Sequence, residues 1–180
     1  MPQTTVAAPT APLVEEGIRP NENLIFGHDY KFAVTTPDGL ISDSELARNL
    51  RVGAIFYRPG SAWNDELALT ARVMPKGATV GLPEIMAQDD AQYKEVNPGI
   101  EVSDQPSIPL SNGKEARVRY FRFVSNSLHE AVAYIDQPAT VVLIVLRTND
   151  DEEFKKGLPI LDTLVRSYRN LSASAGGGAD

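Results

Sequence analysis

The sequence predicts an α/β (α+β) protein, a three-layer α/β/α sandwich around a mostly antiparallel sheet. Three observations carry that expectation. Val141–Leu146 is an unbroken run of six apolar residues, mostly β-branched or leucine, bounded by polar groups and too short to span a membrane. A strand with no polar side requires a layer above and a layer below it. The run sits in Glu130–Arg147, where two apolar stretches face each other across Asp136-Gln137-Pro138 as a hairpin. After it, Phe154, Leu158, Leu161, Val165 and Tyr168 fall on one stripe of an amphipathic C-terminal helix that supplies one covering layer.

Taken in order, residues 1–22 carry Pro2, Pro9, Pro12 and Pro20 in a small, polar context. That composition predicts a flexible lead-in, of the kind left when a signal peptide has been removed. Residues 23–171 are expected to form one domain and 172–180 a linker-like tail. Leu24–Phe26 and the alternating Tyr30–Val34 are the first strand candidates, closed by a turn at Thr36-Pro37-Asp38-Gly39. A short helix fits Ser42–Arg51. Val52–Arg58 and Leu67–Met74 read as strands, each ending in a Pro-containing turn, with Trp63 in the loop between them.

Thr79–Lys94 reads as a helix with Thr79 as its cap and Pro83 in the first turn, its apolar side formed by Leu82, Ile85, Met86 and Tyr93. Asn97-Pro98-Gly99 ends it, a short edge strand fits Ile100–Val102, and Asn112-Gly113 marks a hairpin. In the next strand, Glu115–Val124, Ala116, Val118 and Tyr120 share one face, while Phe121 and Phe123 fall on the face of Arg117 and Arg119. A bulge near Tyr120-Phe121, or burial of both faces at one end, would reconcile the pattern. The last helix starts at Asp150, with Glu153 placed to complete a capping box, and Pro159 is expected to kink it.

Composition narrows the function classes. Of the 180 residues 42% are hydrophobic, and 17 Lys+Arg against 24 Asp+Glu give a formal charge of −7, which disfavours nucleic acid and anionic membrane surfaces. The absence of cysteine excludes disulfides, thiolate metal sites and a cysteine nucleophile.

Candidate chemistry is sparse. His28-Asp29 and His129-Glu130 place an imidazole beside a carboxylate, but neighbours on a strand point apart, so ordinary strand-end histidines are the favoured reading over a metal site. Ser61, His129 and Asp136 can be assembled into a triad only on paper, since no nucleophile-elbow pattern surrounds Ser61. The acidic run Asp150–Glu153 lacks the spacing of a calcium loop and is explained by helix capping, and Asp89-Asp90 reads as a solvated helix face. Arg117 and Arg119 on one strand face need acidic partners or an edge position, with an anion or protein partner as the sharper alternative. The most distinctive polar-aromatic group is Tyr57, Arg58, Trp63, Asn64 and Asp65, where Trp63 is either a lid on the core or a recognition anchor.

The order of elements, with FYRPGSAW (56–63), EAVAYID (130–136) and LVRSY (164–168), resembles the PsbP-like α/β/α sandwich, and within it small exported bacterial proteins of unassigned function. The resemblance spans roughly 26–171. It implies an accessory or binding role, as for a photosystem II extrinsic subunit and a Ran-binding nuclear protein of this fold, and it carries over no site residue. The expectation is therefore a non-catalytic, exported, protein-binding module without cofactor or metal, monomeric or weakly dimeric. It would act in an envelope complex in the periplasm or outside the cell, with a cytoplasmic location as the alternative. Its binding candidates are Tyr57, Arg58, Trp63, Asp65, Arg117 and Arg119. The rival expectation is a small hydrolase or metal-assisted enzyme with a site near His129.

Overall fold

A computed structural model describes residues 17–64, 66–124 and 126–172. Seven strands form the main sheet: β3 (Ile41–Ser42), β4 (Ala54–Tyr57), β5 (Leu67–Pro75), β6 (Ile100–Pro109), β7 (Glu115–Phe123), β8 (Leu128–Asp136) and β9 (Thr140–Thr148). They lie in the order β3-β4-β5-β9-β8-β7-β6, each pair antiparallel. A second sheet holds β1 (Glu22–Phe26), β2 (Lys31–Thr35) and β10 (Arg169–Asn170) in the order β1-β2-β10. The helices are α1 (Ser44–Asn49), α2 (Leu82–Val96) and α3 (Asp151–Arg166).

The apolar run sits mid-sheet, in β9 between β5 and β8. Its alternate residues go to different cores. Val142, Ile144 and Leu146 pack with Leu161, Leu164, Val165 and Tyr168 of the α3 segment, and with Phe32 and Val34 of the small sheet. Val141, Leu143 and Val145 pack with Ile85 and Met86 of α2. A period of two on a strand covered on both sides gives an all-apolar sequence, as observed. Gly157 lets α3 approach closely: a Cβ there would lie 2.6 Å from Leu67 Cδ1 and 2.8 Å from Leu146 Cδ1.

Several boundaries differ from expectation. The cap of α2 is Gly81, not Thr79, and its amide donates to Glu84 Oε2 at 3.1 Å. The edge strand β6 runs ten residues rather than three, with its irregularity between Gln105 and Ile108 around Pro106. The pairing of β7 with β8 is unbroken from Arg117 to Phe123, so no bulge lies at Tyr120-Phe121. Instead the cover changes along β7: Ala116 and Val118 are buried in the α3-side core, Phe121 and Phe123 in the α2-side core. Asp150 caps α3 by accepting from the Glu153 amide at 2.8 Å, but its own amide donates to Thr148 Oγ1, so only half of the capping box forms. Helix α3 spans Asp151–Arg166 with Pro159 inside it. Strands β3 and β10, two residues each, carry too little pattern to be read from the sequence.

Candidate binding site

Beside the small sheet lies a groove of about 560 Å³ between β1 and the end of α1. One wall is Asn23–Phe26 of β1; the other carries Ala47, Arg48 and Arg51, with Gly53 and Ala54 at the start of β4. Local chemistry builds both walls. Asp43 caps α1, its Oδ1 accepting from the Leu46 amide at 2.8 Å and its Oδ2 from the Tyr57 hydroxyl at 2.8 Å. These contacts, the Leu46 amide first, hold the Asp43 carboxyl below its ordinary range, and the Asp43 bond raises the Tyr57 hydroxyl. After Leu50 the chain reverses at Arg51 in the left-handed region (φ 56°). The Gly53 amide then donates to Ala71 O at 2.8 Å, and a Cβ at Gly53 would lie 2.7 Å from Ile25 Cγ2, so only glycine lets β1 sit this close. Ser42 Oγ donates to Asn23 Oδ1 at 2.6 Å and ties β3 to β1.

Among the described residues β1 is an edge strand, paired with β2 alone. Closure of its hairpin by Gly27 N–H to Tyr30 O, and of the other end by Thr36 N–H to Asn21 O, fixes which residues exchange bonds with β2. In an antiparallel pair those residues alternate. Asn23 and Ile25 therefore face β2, and the N–H and C=O groups of Leu24 and Phe26 point out from the free edge. Their side chains are exposed too, Leu24 at 38% and Phe26 at 70%. Arg48 and Arg51 are exposed on the opposite wall.

The residues expected to form a site from the sequence are dispersed. Arg58 is held by Glu66 (2.7 Å) and by Glu153 at the start of α3 (2.6 Å). Trp63 is half-buried and lines a small cleft of about 210 Å³ with Arg147 and Thr148. Asp65 lies outside the described residues. Arg119 binds Asp90 (2.7 Å), Asp104 (2.6 Å) and the Met86 carbonyl (3.2 Å), whereas Arg117 is exposed.

Asp89 is not on a solvated face. It is 9% exposed and accepts from the buried Tyr134 hydroxyl, and burial raises its carboxyl above the ordinary range. A parallel pair lies beside it, where the Tyr93 hydroxyl donates to Glu130 and burial raises that phenol steeply. Together these pairs join α2 to β8, and Asp89, Tyr93 and Glu130 line a second groove of about 580 Å³ with Arg72 and Arg147.

The histidines do not converge. His28 is exposed and its Nδ1 meets its neighbour Asp29 at 2.6 Å; the reading that adjacent residues point apart fails because both sit in the β1–β2 loop, not on a strand. His129 is buried, with Nε2 at 2.6 Å from Asp151 Oδ1 and its ring against Phe154. Asp136, at the other end of β8 and roughly 23 Å away along the strand, pairs with Lys76. Ser61 Oγ donates to Arg58 O. No group of three or more potential metal ligands occurs among the described residues.

No family model matches the sequence, and no curated protein matches it. Among solved structures, the cyanobacterial PsbP (CyanoP) of Synechocystis sp. PCC 6803 is similar in fold, with a TM-score of 0.54 and 14% identity over 90% of this chain and 98% of that one. The Ran-binding protein Mog1p of Saccharomyces cerevisiae aligns with a TM-score of 0.48 and 13% identity over 78% of this chain and 90% of that one. The fold is PsbP-like.

Proposed function

We propose that this PsbP-like chain is a non-catalytic accessory module that binds a protein partner through the groove between β1 and α1, and that it is exported. One observation carries the reading: exposed apolar side chains and unpaired backbone groups gather there, next to two arginines, on a chain of formal charge −7. Of the large apolar side chains exposed among the described residues, Leu24, Phe26, Ile41 and Leu50 belong to β1, β3 or the end of α1. Apolar exposure concentrated beside charge is the signature of an interaction surface. The partner-facing roles of Trp63 and Arg117 are secondary parts of this proposal. The small, polar, proline-bearing composition of residues 1–22 is what supports the export part of this proposal.

The triad of Ser61, His129 and Asp136 is not assembled, since His129 meets Asp151, Ser61 Oγ bonds to Arg58 O and Asp136 pairs with Lys76. The test is a photo-crosslinking residue placed at Phe26, compared with one at Asn112 in the β6–β7 turn, in cells that make the protein. A single partner band trapped at position 26 and absent at 112 supports the assignment. Equal labelling at both positions, or none at 26, overturns it. Fractionation of the same cells tests export.

A further inference from the structure

We infer that the partner enters this groove as an extended segment, adding a strand to the free edge of β1 and presenting carboxylates to Arg48 and Arg51. This rests on the proposed binding role and names its chemistry. Leu24 and Phe26 each direct one N–H and one C=O outward, with no partner for them among the described residues. An edge strand that is neither charged, bulged nor covered is a template for strand pairing, and proteins normally blunt such edges. Among the described residues nothing covers this edge, its one charged residue, Glu22, is held by Arg169, and a groove of about 560 Å³ runs alongside. Main-chain bonding to an edge with side-chain selection by flanking walls is an established recognition mode.

The walls select the sequence. Val52, Gly53, Ala54 and Val73 give an apolar floor, so the added segment needs small or branched apolar side chains on that side. Arg48 and Arg51 have no side-chain ion pair or hydrogen bond among the described residues, whereas Arg58, Arg119, Arg166 and Arg169 are each held by a carboxylate. Two uncompensated guanidinium groups on one wall select carboxylates. A second copy of β1 is a poorer occupant: its one acid, Glu22, is already held by Arg169 at 2.8 Å, and self-pairing would bring arginine walls together.

The test follows amide hydrogen exchange in the full chain with an acetylated, amidated hexapeptide of alternating valine and glutamate as the probe. With peptide at about 1 mM, a level matched to weak edge pairing, the amides of Leu24 and Phe26 should slow by at least ~2-fold. Methylating alternate peptide nitrogens should abolish the effect, as should replacing glutamate by lysine, or R48E with R51E in the protein. Three results overturn the inference: no protection at these amides, protection that survives N-methylation, or protection without peptide that grows with protein concentration. If crosslinking at Phe26 traps a partner while that partner leaves both amides unprotected, docking is by side chains. The binding site then stands and strand addition falls.

Discussion

The Tyr134 hydroxyl, on the interior strand β8, donates to the carboxylate of Asp89 on α2, so the layer above the sheet is joined to it by a buried polar bond as well as by packing. Burial is the largest influence on Asp89 and raises its pKa from the ordinary 3.8. The folded state therefore holds the proton more tightly than the unfolded chain. Its stabilising contribution is complete below the unfolded value and is lost as pH rises through the folded one. Carboxyls held below their ordinary range, Asp43 among them, pull the other way, so the effect is read as a difference between two proteins. Asp89→Asn keeps an acceptor for Tyr134 without the buried charge, and from about pH 4 upward the native chain should lose denaturant midpoint relative to it; a constant difference across pH would show that Asp89 does not contribute.

Gly157 sets two effects against each other. Helix propensity favours alanine in a helix interior by about 1 kcal/mol. Overpacking opposes it, because the new methyl would press on Leu67 and Leu146, both fully buried. Such insertions cost about 1–3 kcal/mol. Gly157→Ala should therefore lower stability by about 1 kcal/mol net, read from urea midpoints. A gain would mean that the leucine tips repack freely.

Arg117 and Arg119 look alike in the sequence and should behave differently. Arg119→Ala leaves Asp90 and the Met86 carbonyl without their cation and should cost about 1–3 kcal/mol. Arg117→Ala, on an exposed position, should stay within about 0.5 kcal/mol of the native chain. Equal losses in thermal or chemical unfolding would contradict this division.

R48E with R51E should leave the unfolding midpoint within about 0.5 kcal/mol of native, because neither side chain has a side-chain partner among the described residues. The same pair should remove partner crosslinking at position 26. Loss of folding would show that these arginines serve the domain itself.

The layers were legible in the sequence because their signals are local. Val141–Leu146 states its own burial, and Asp150 announces the start of α3. Asp89 misled because an acid on a helix ordinarily faces water, and its partner Tyr134 lies 45 residues away within the apolar stretch Ala131–Ile135 of β8. The groove was illegible for a related reason. β1 is placed by a second sheet that β10 completes, and Arg169-Asn170 reads as the end of a helix. One signal was present: Leu24-Ile25-Phe26 puts three apolar residues in succession on a strand where Ile25 alone is buried. The group around Trp63 drew attention by residue type, yet Tyr57 and Arg58 are engaged by Asp43, Glu66 and Glu153.

The most direct test of an open binding edge at β1 is residue-resolved amide exchange in the free protein. Ile25, bonded to β2, should exchange slowly, while Leu24 and Phe26 on either side should exchange nearly as fast as unprotected amides. Uniform protection of all three amides would mean that the edge is already covered, and would contradict the assignment of this groove as the binding site.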